Sequence, residues 1–486
     1  MKTTSDKTPR TPARKSTRKS KTELKPMEAS VPAADGVASS GSDSASGSDS
    51  AARSPVEAIA KPGAIRYPPT ISRGIMARGQ ESAMQQTVVM LLAGGQGERL
   101  YPLTRDRAKP AVAFGGVYRI IDFSLSNCIN SGLRRIFVLT QYKSFSLHRH
   151  IQDAWNLFNP VFGEYIDVIP PQQRNVKRWY QGTADAIFQN IYLLEQERPR
   201  YVLILSGDHI YKMDYAKMLD FHVRNDADLT ISCTTVPRKD ANRLGVAGAD
   251  ETQRITRFVE KPKDPPAIPG QPDSSYASMG VYIFSTDVLV RRIIEDVKQD
   301  TEHDFGKNII PKMVRGGDRV FAYPFVDENK RDEVYWRDIG TLASYYDANM
   351  DLVSESPLFN LYDDEWPIHR RSQPGPPSKT ISYAPDRIVD VQDSLLATGV
   401  IVSGARVQRS IIAPRCYVHS WASVEDSILF DDVEVGRHCR IRRAIIDKHV
   451  KIPDGTVIGY DREDDAKRFT VTDEGIVVIP SGLVLK

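Results

Sequence analysis

TVVMLLAGGQGERL (Thr87–Leu100) is the stretch on which the reading of this chain turns. After its opening threonine the run is apolar to Ala93, and two glycines follow. A continuous apolar run that ends in glycine reads as a strand buried on both faces that feeds a loop. Comparable runs come at RRIFVLT (134–140), YVLILSGD (201–208), DLTISCTTV (228–236) and MGVYIFS (279–285). Helix-like stretches lie between them at 122–131, 144–155, 183–197 and 214–225. Strands alternating with helices predict an α/β domain whose mostly parallel sheet is covered on both faces. Ligands of such sheets bind beyond the carboxyl ends of the strands, where LAGGQGERL and LSGDH fall.

Downstream, the proline-rich PGPPSKT (374–380) breaks the pattern and marks a linker, taken as 373–392. The period then changes. Leu395, Ile401, Val407, Ile412, Val418, Val424, Leu429, Val435, Ile441, Ile446, Ile452 and Ile458 recur in steps of 6, 6 and 5, one turn per 17 residues. Neither a helix nor a simple strand has that period. A three-sided parallel β-helix does, with one inward aliphatic residue per side, and it is expected over 393–486.

Upstream, residues 1–84 divide into a Lys/Arg/Thr/Ser/Pro-rich part (TPRTPARKSTRKSK) and an Ala/Ser/Gly/Asp-rich part. Neither carries enough apolar surface to offset chain entropy, so a disordered basic, low-complexity tail is expected there. It reads as a solvated tail, a tether for an anionic partner, or an organelle transit peptide; early acidic residues and the lack of an amphipathic pattern argue against the last. Residues 1–85 hold fourteen Lys or Arg and eight Asp or Glu, a net +6, which leaves −3 for the rest of a chain whose total is +3. A mildly acidic folded part implies no general nucleic-acid surface. At 486 residues, 41% hydrophobic and 26% charged, the chain has the composition of a multidomain globular protein. It contains no apolar run of membrane-spanning length and no secretory leader pattern. Cys128, Cys233, Cys416 and Cys439 are widely spaced, which predicts buried thiols rather than a zinc site or disulfides, and a reducing, cytoplasmic setting.

Four motifs bear chemistry. In Gly94-Gly95-Gln96-Gly97-Glu98-Arg99 the glycines let backbone amides approach phosphate oxygens, and Arg99 with Lys109 adds cations. The motif is not a Walker loop, because no GK[ST] follows, nor a dinucleotide fingerprint, because a cation stands where the third glycine belongs. Asp208 ends an apolar strand and can hold Mg²⁺; a turn or cap aspartate is the alternative. Lys261 in FVEKP can grip a phosphate or be an exposed strand-end lysine. Asp338 in YWRDIG offers a second metal carboxylate, while HDFG (303–306) reads as a helix start or a sugar-binding loop.

LAGGQGERL, RAKPAVAFGG, RIIDFSLSNCINSGLRRIFVLTQY, WYQGTADA, SGDHIYKMDY, FVEKP, SMGVYIF, HDFGK and YWRDIGT together resemble the bacterial glucose-1-phosphate adenylyltransferase (ADP-glucose pyrophosphorylase) family, in that family's order. The resemblance covers roughly 87–475. It implies a Rossmann-like nucleotidyltransferase domain (85–372) followed by a left-handed parallel β-helix that serves regulation and oligomerisation. It implies Mg²⁺-dependent transfer of AMP from ATP to α-D-glucose 1-phosphate for glycogen or another α-glucan. It implies that Gly94, Gly95, Gly97, Arg99 and Lys109 lie on the triphosphate, with Gln141, Tyr180 and Gly182 in the nucleotide pocket. Asp208 and Asp338 would hold the metal, Lys261 the sugar phosphate, and Glu260, Ser278 and Asp304 would face the sugar. Asp208, Arg99, Lys109 and Lys261 would be the catalytic set.

The family is typically a homotetramer controlled by phosphorylated or glycolytic effectors. Here a lysine often found just before RAKP is Asp106, and the C-terminus IVVIPSGLVLK lacks the arginines some members place there. Arg107 and Lys448 remain as effector candidates. Three other readings stay open: a catalytically silent regulatory subunit, a UTP- or dTTP-specific relative, and a β-helix acyltransferase using His419, His438 or His449.

Overall fold

The computed structural model describes residues 82–485 except 173–178, 332, 371–374 and 384. The expected tail lies outside the described residues but for its last three positions. Strand β1 (Thr87–Ala93) is buried at every position but Leu92, as its apolar run requires. Helix α1 (Ile120–Asn130) leads to β2 (Arg135–Thr140) and β3 (Tyr165–Ile169). Helix α2 (Thr183–Gln189) precedes β4 (Tyr201–Ser206), which the short β5 (His209–Tyr211) follows after a two-residue turn. Then come β6 (Leu229–Pro237), β7 (Gly245–Ala249), β8 (Ile255–Glu260), β9 (Ser274–Ser285), β10 (Val320–Pro324), β11 (Trp336–Asp338) and α3 (Leu342–Asp351).

The main sheet runs β8-β7-β9-β4-β1-β2-β3, with β6 on the other edge of β9 and β10 beside β6. The half that carries the glycine-rich loop, β4-β1-β2-β3, is wholly parallel. The other half is built around β9, antiparallel to β4, β6 and β7. β9 pairs with β4 through 282–285 and with β7 through 276–277, and its register shifts between Ser278 and Tyr282. Gly280, at φ +71°, makes that irregular stretch possible. β4 and β7 therefore lie along the same edge of β9 at different stretches of it. Separate apolar clusters cover the two faces of the sheet.

The C-terminal part is a coil of three parallel sheets. Its first strands, Lys379–Ile381 and Asp390–Gln392, lie inside the segment expected as linker. Val407, Val424, Ile441 and Ile458 stack on one another, as do Ile412, Leu429 and Ile446, matching the 17-residue period. The first turn departs from it by one residue. Leu395 pairs with Ile411 and Ile401 with Tyr417, so Leu396 and Val402 take the interior places assigned to Leu395 and Ile401. A shift of one residue moves a side chain to the opposite face of a strand. Val402 accordingly is fully buried, and Leu395 packs instead on the cluster between the two parts.

Each corner of the coil repeats a left-handed residue. Asp393, Arg409, Asp426 and Arg443 form one column at φ 44–51°, and Arg415, Asp432 and His449 another at φ 60–62°. Left-handed backbone costs roughly 1–2 kcal/mol per non-glycine residue. Ion pairs between successive corners, Arg409–Asp426 at 2.6 Å and Arg415–Asp432 at 2.7 Å, help offset it. Phe114, Phe123, Tyr345, Tyr346 and Leu352 pack on Ile411, Ile428, Ile445 and Val478, so one apolar core joins the coil to the α/β part. Both belong to one compact unit. All four cysteines are buried free thiols. No helix among the described residues is long and apolar enough to cross a membrane.

Candidate active site

The carboxyl ends of β1, β2 and β4 open on a cleft of about 910 Å³. Gly94 and Gly97 are constrained by the protein itself. A Cβ on Gly94 would stand 3.0 Å from the Gln141 Cβ, and Gly97 has φ +66° with Lys109 and Thr104 against it. Gly95 is different: a Cβ there meets nothing within 4 Å, so its bareness serves whatever approaches from the cleft. Arg99 follows on a single exposed turn. Its guanidinium lies against Gly340, where an added Cβ would come within 2.8 Å of Arg99 Nη2 and 3.0 Å of Asp338 Oδ1.

Two carboxylates converge here because β5 and β11 pair antiparallel with Asp338 opposite His209. Lys109, buried, sets Nζ 2.9 Å from Asp208 Oδ2 and 3.2 Å from Asp338 Oδ1. His209 Nε2 is 3.6 Å from Asp208 and 4.0 Å from Asp338. Burial by itself would raise the Asp208 carboxyl; the His209 and Lys109 charges and a hydrogen bond from Ser206 Oγ outweigh it and hold the group well below the usual carboxylate range. Asp208 thus stays ionised at neutral pH. Donor atoms of Asp208, His209 and Asp338 lie within 4.8 Å of one another. Two carboxylates, one in the turn before β5 and one at the end of β11, suit a hard divalent cation.

The opposite wall carries Gln141, Tyr180 and Gly182, all lining the cleft. Gln141 Nε2 donates to the Tyr180 carbonyl at 3.4 Å, and the Tyr180 hydroxyl accepts from Asn190 Nδ2 at 2.9 Å. Burial raises that phenol above its ordinary value. Gly182 admits no side chain, since a Cβ would fall 2.2 Å from the Glu302 carbonyl. Asp304, also on the lining, accepts from Thr183 Oγ1 at 3.0 Å. Glu260 stands beside it: a Cβ on Gly306 would lie 3.0 Å from Glu260 Oε2 and 3.4 Å from Asp304 Oδ1. Burial pushes the Glu260 carboxyl up, Asp304 adds to this, and Lys261 and Lys307 oppose it.

Most of the residues expected from sequence therefore share one cleft. Glu260, Lys261, Ser278 and Asp338 stand outside its lining, Asp338 reaching the site through Lys109. Lys261 is exposed, with Nζ 3.7 Å from Glu260 Oε1, and Ser278 Oγ accepts from the Gly280 amide at the β9 irregularity. The effector candidates sit elsewhere, between the α/β part and the coil, and both are already paired. Arg107 makes a two-pronged bond to Asp447 at 2.8 and 3.0 Å, and Lys448 reaches Asp431 at 2.8 Å. Burial lowers the Lys448 ammonium, with Asp431 opposing. His419, His438 and His449 lie on the outer surface of the coil, away from the cleft. Sequence reasoning assigned no role to His209, Ser206, Thr183 or Gly340. Ser206 and His209, both beside Asp208 in SGDH, carried a local signal.

The family model for nucleotidyl transferases matches residues 88–355, and that for the GlmU-like C-terminal hexapeptide matches 376–479. The chain is 54% identical to the glucose-1-phosphate adenylyltransferase 2 of Vibrio cholerae, over 82% of this chain and 98% of that one. It is 54% identical to the glucose-1-phosphate adenylyltransferase of Rhodopirellula baltica, over 82% and 91%, and 52% identical to that of Koribacter versatilis, over 82% and 95%.

Proposed function

The chain belongs to the glucose-1-phosphate adenylyltransferase family, and from that premise we propose that it transfers AMP from ATP to α-D-glucose 1-phosphate, for the synthesis of glycogen or a similar α-glucan. The observation that carries the reading is the Lys109 ammonium set between Asp208 and Asp338 at the mouth of a glycine-rich loop. A phosphate oxygen of glucose 1-phosphate bonds to the α-phosphorus of ATP, the bond from that phosphorus to the α,β-bridging oxygen breaks, and pyrophosphate leaves. The attacking phosphate has its second pKa near about 6 and is mostly dianionic at pH 7, so no general base is needed. The obstacle is bringing two anions together in line.

In this reading Gly94, Gly95, Gly97, Arg99 and Lys109 hold the triphosphate. Gln141, Tyr180 and Gly182 receive the nucleoside, which accords with the cleft they line. Lys261 takes the sugar phosphate, and Glu260, Ser278 and Asp304 take the sugar hydroxyls. Enzymes of this family use a divalent metal; Asp208 and Asp338 are the residues that would hold it here, with Mg²⁺ the ion we propose. Bound there, the ion would neutralise phosphate charge as it builds up on the leaving group. Residues 85–372 form the catalytic part, and the coil, which begins with the strand Lys379–Ile381, the regulatory part of a cytoplasmic homotetramer. Arg107 and Lys448 stay candidates for an anionic effector, which would have to compete with Asp447 and Asp431 for them.

Release of pyrophosphate by the purified chain, with Mg²⁺, glucose 1-phosphate and ATP, UTP or dTTP in competition, tests the proposal. ATP is expected to dominate. Preference for a pyrimidine nucleotide would reassign the substrate, and no release from any of the three would remove the activity.

A further inference from the structure

Between the nucleotide wall and the sugar-facing wall stands a buried residue that lines neither, His303. Its backbone is left-handed, φ +52°, which a side chain with a β-carbon adopts only when held there. Two neighbours hold it. The ring Nδ1 lies 2.7 Å from Asp296 Oδ2, and since a carboxylate only accepts, Nδ1 carries the proton and donates. Thr301 Oγ1 accepts from the His303 amide at 3.1 Å and donates to Asp296 Oδ1 at 3.0 Å. Asp296, at the end of its own helix, is itself buried, so this cluster is fixed to the scaffold rather than to the loop.

The anchored peptide grips both walls. The His303 carbonyl accepts from the Ala184 amide at 2.8 Å and from the Asp185 amide at 3.3 Å, closing the first turn of α2. Gly182, on the nucleotide wall, rests on the carbonyls of Glu302 and His303 so closely that a Cβ there would meet them at 2.2 and 2.4 Å. The next residue, Asp304, is clasped by Thr183, whose Oγ1 also accepts from the Phe305 amide at 3.0 Å. One peptide unit thus sets the position of Gly182 on one side and Asp304 on the other.

We propose that His303, anchored by Asp296, is a positioning residue that keeps the nucleotide wall and the sugar-facing carboxylate in register. It touches no substrate and acts through Gly182 and Asp304. The inference rests on the assignment of Asp304 to the sugar subsite made above.

Three substitutions at one position separate its two attributes. His303→Asn keeps both, because asparagine tolerates left-handed backbone and its Nδ2 can stand where Nδ1 stands. His303→Gly keeps only the backbone freedom, and His303→Ala keeps neither. Asp296→Asn removes the charged acceptor from the other side, and Asp304→Asn serves as reference. The glycine, alanine and Asp296 variants are expected to raise the KM for glucose 1-phosphate by about tenfold, the worth of one charge-assisted hydrogen bond. The rise for ATP is expected to be smaller, and kcat to change less than either KM. His303→Asn should recover most of the loss.

An asparagine variant no better than glycine would overturn the proposal. So would unchanged KM values in the glycine and Asp296 variants, or activity losses that follow Tm across the series with KM constant. If Asp304→Asn itself leaves the glucose 1-phosphate KM unmoved, the sugar-subsite assignment fails and takes the proposal with it. If that reference responds and the His303 series does not, only the positioning role fails.

Discussion

The Lys109 ammonium lies 2.9 Å from Asp208 Oδ2, joining the glycine-loop side of the cleft to the end of β4. Two carboxylates, Asp208 and Asp338, would repel one another; Lys109 sits at bonding distance from both. Asp208→Asn retains the shape and the Ser206 contact but removes one negative charge from the proposed metal site. Its kcat is expected to fall on the order of 10²–10³-fold, as when one preorganised electrostatic partner is lost, with an unchanged circular dichroism spectrum. Near-normal turnover would mean that Asp208 is a turn residue.

Lys261 is exposed and among the described residues its ammonium pairs with Glu260 alone, at 3.7 Å, so the fold does not need its charge. Lys261→Ala should raise the KM for glucose 1-phosphate by about 10–100-fold, the range for a lost hydrogen bond to a charged group, with a much smaller change for ATP. Steady-state kinetics with each substrate varied in turn would measure it. A collapse of ATP affinity instead would move Lys261 to the triphosphate.

Glu260 gives a stability test with a defined sign. Burial lifts its folded-state pKa above the ordinary glutamate value, so the neutral form favours folding. That contribution is complete below about pH 4.3, the unfolded value, and is lost as pH rises through the raised folded value. Glu260→Gln should therefore raise Tm modestly at pH 7, give no gain at pH 4, and still weaken glucose 1-phosphate binding. Thermal melts at the two pH values decide; a lower Tm at pH 7 would show that the ionised carboxylate stabilises the fold.

Arg107 and Asp447 are the buried ion pair between the α/β part and the coil. Removing one partner strands a buried charge, so Arg107→Ala is expected to cost about 3–5 kcal/mol. With Asp447→Ala added, the combined loss should be less than the two single losses together, read from unfolding of the four proteins in a double-mutant cycle. Strict additivity would mean that the two side chains do not support one another.

Much of this was legible in the chain itself. The strand ends bearing Gly94–Arg99 and Asp208 followed from apolar runs that stop in glycine, and the coil followed from its 17-residue period. The first turn misled by one residue because Leu395 and Ile401 are aliphatic neighbours of the true interior residues, Leu396 and Val402. Periodicity cannot choose between adjacent aliphatics when one faces a second core. The meeting of Asp208 with Asp338 depends on two three-residue strands, too short to carry a pattern. That Arg107 and Lys448, the effector candidates, are already paired was not legible, since Asp447 is distant in sequence from the former and Asp431 lies one coil turn before the latter. His303 was marked only as part of HDFG, with no role of its own, because that role lies in a backbone conformation and a carbonyl, neither of which residue type reveals.

The central claim is that two anions react directly, with the sugar phosphate displacing pyrophosphate in line from the α-phosphorus. ATP made chiral at that phosphorus by a single sulfur substitution reports on it, because each displacement inverts the centre once. The stereochemistry of the thio-substituted ADP-glucose formed by the wild-type enzyme is predicted to be inverted. Retention, which requires a covalent nucleotidyl-enzyme and two displacements, would contradict the account.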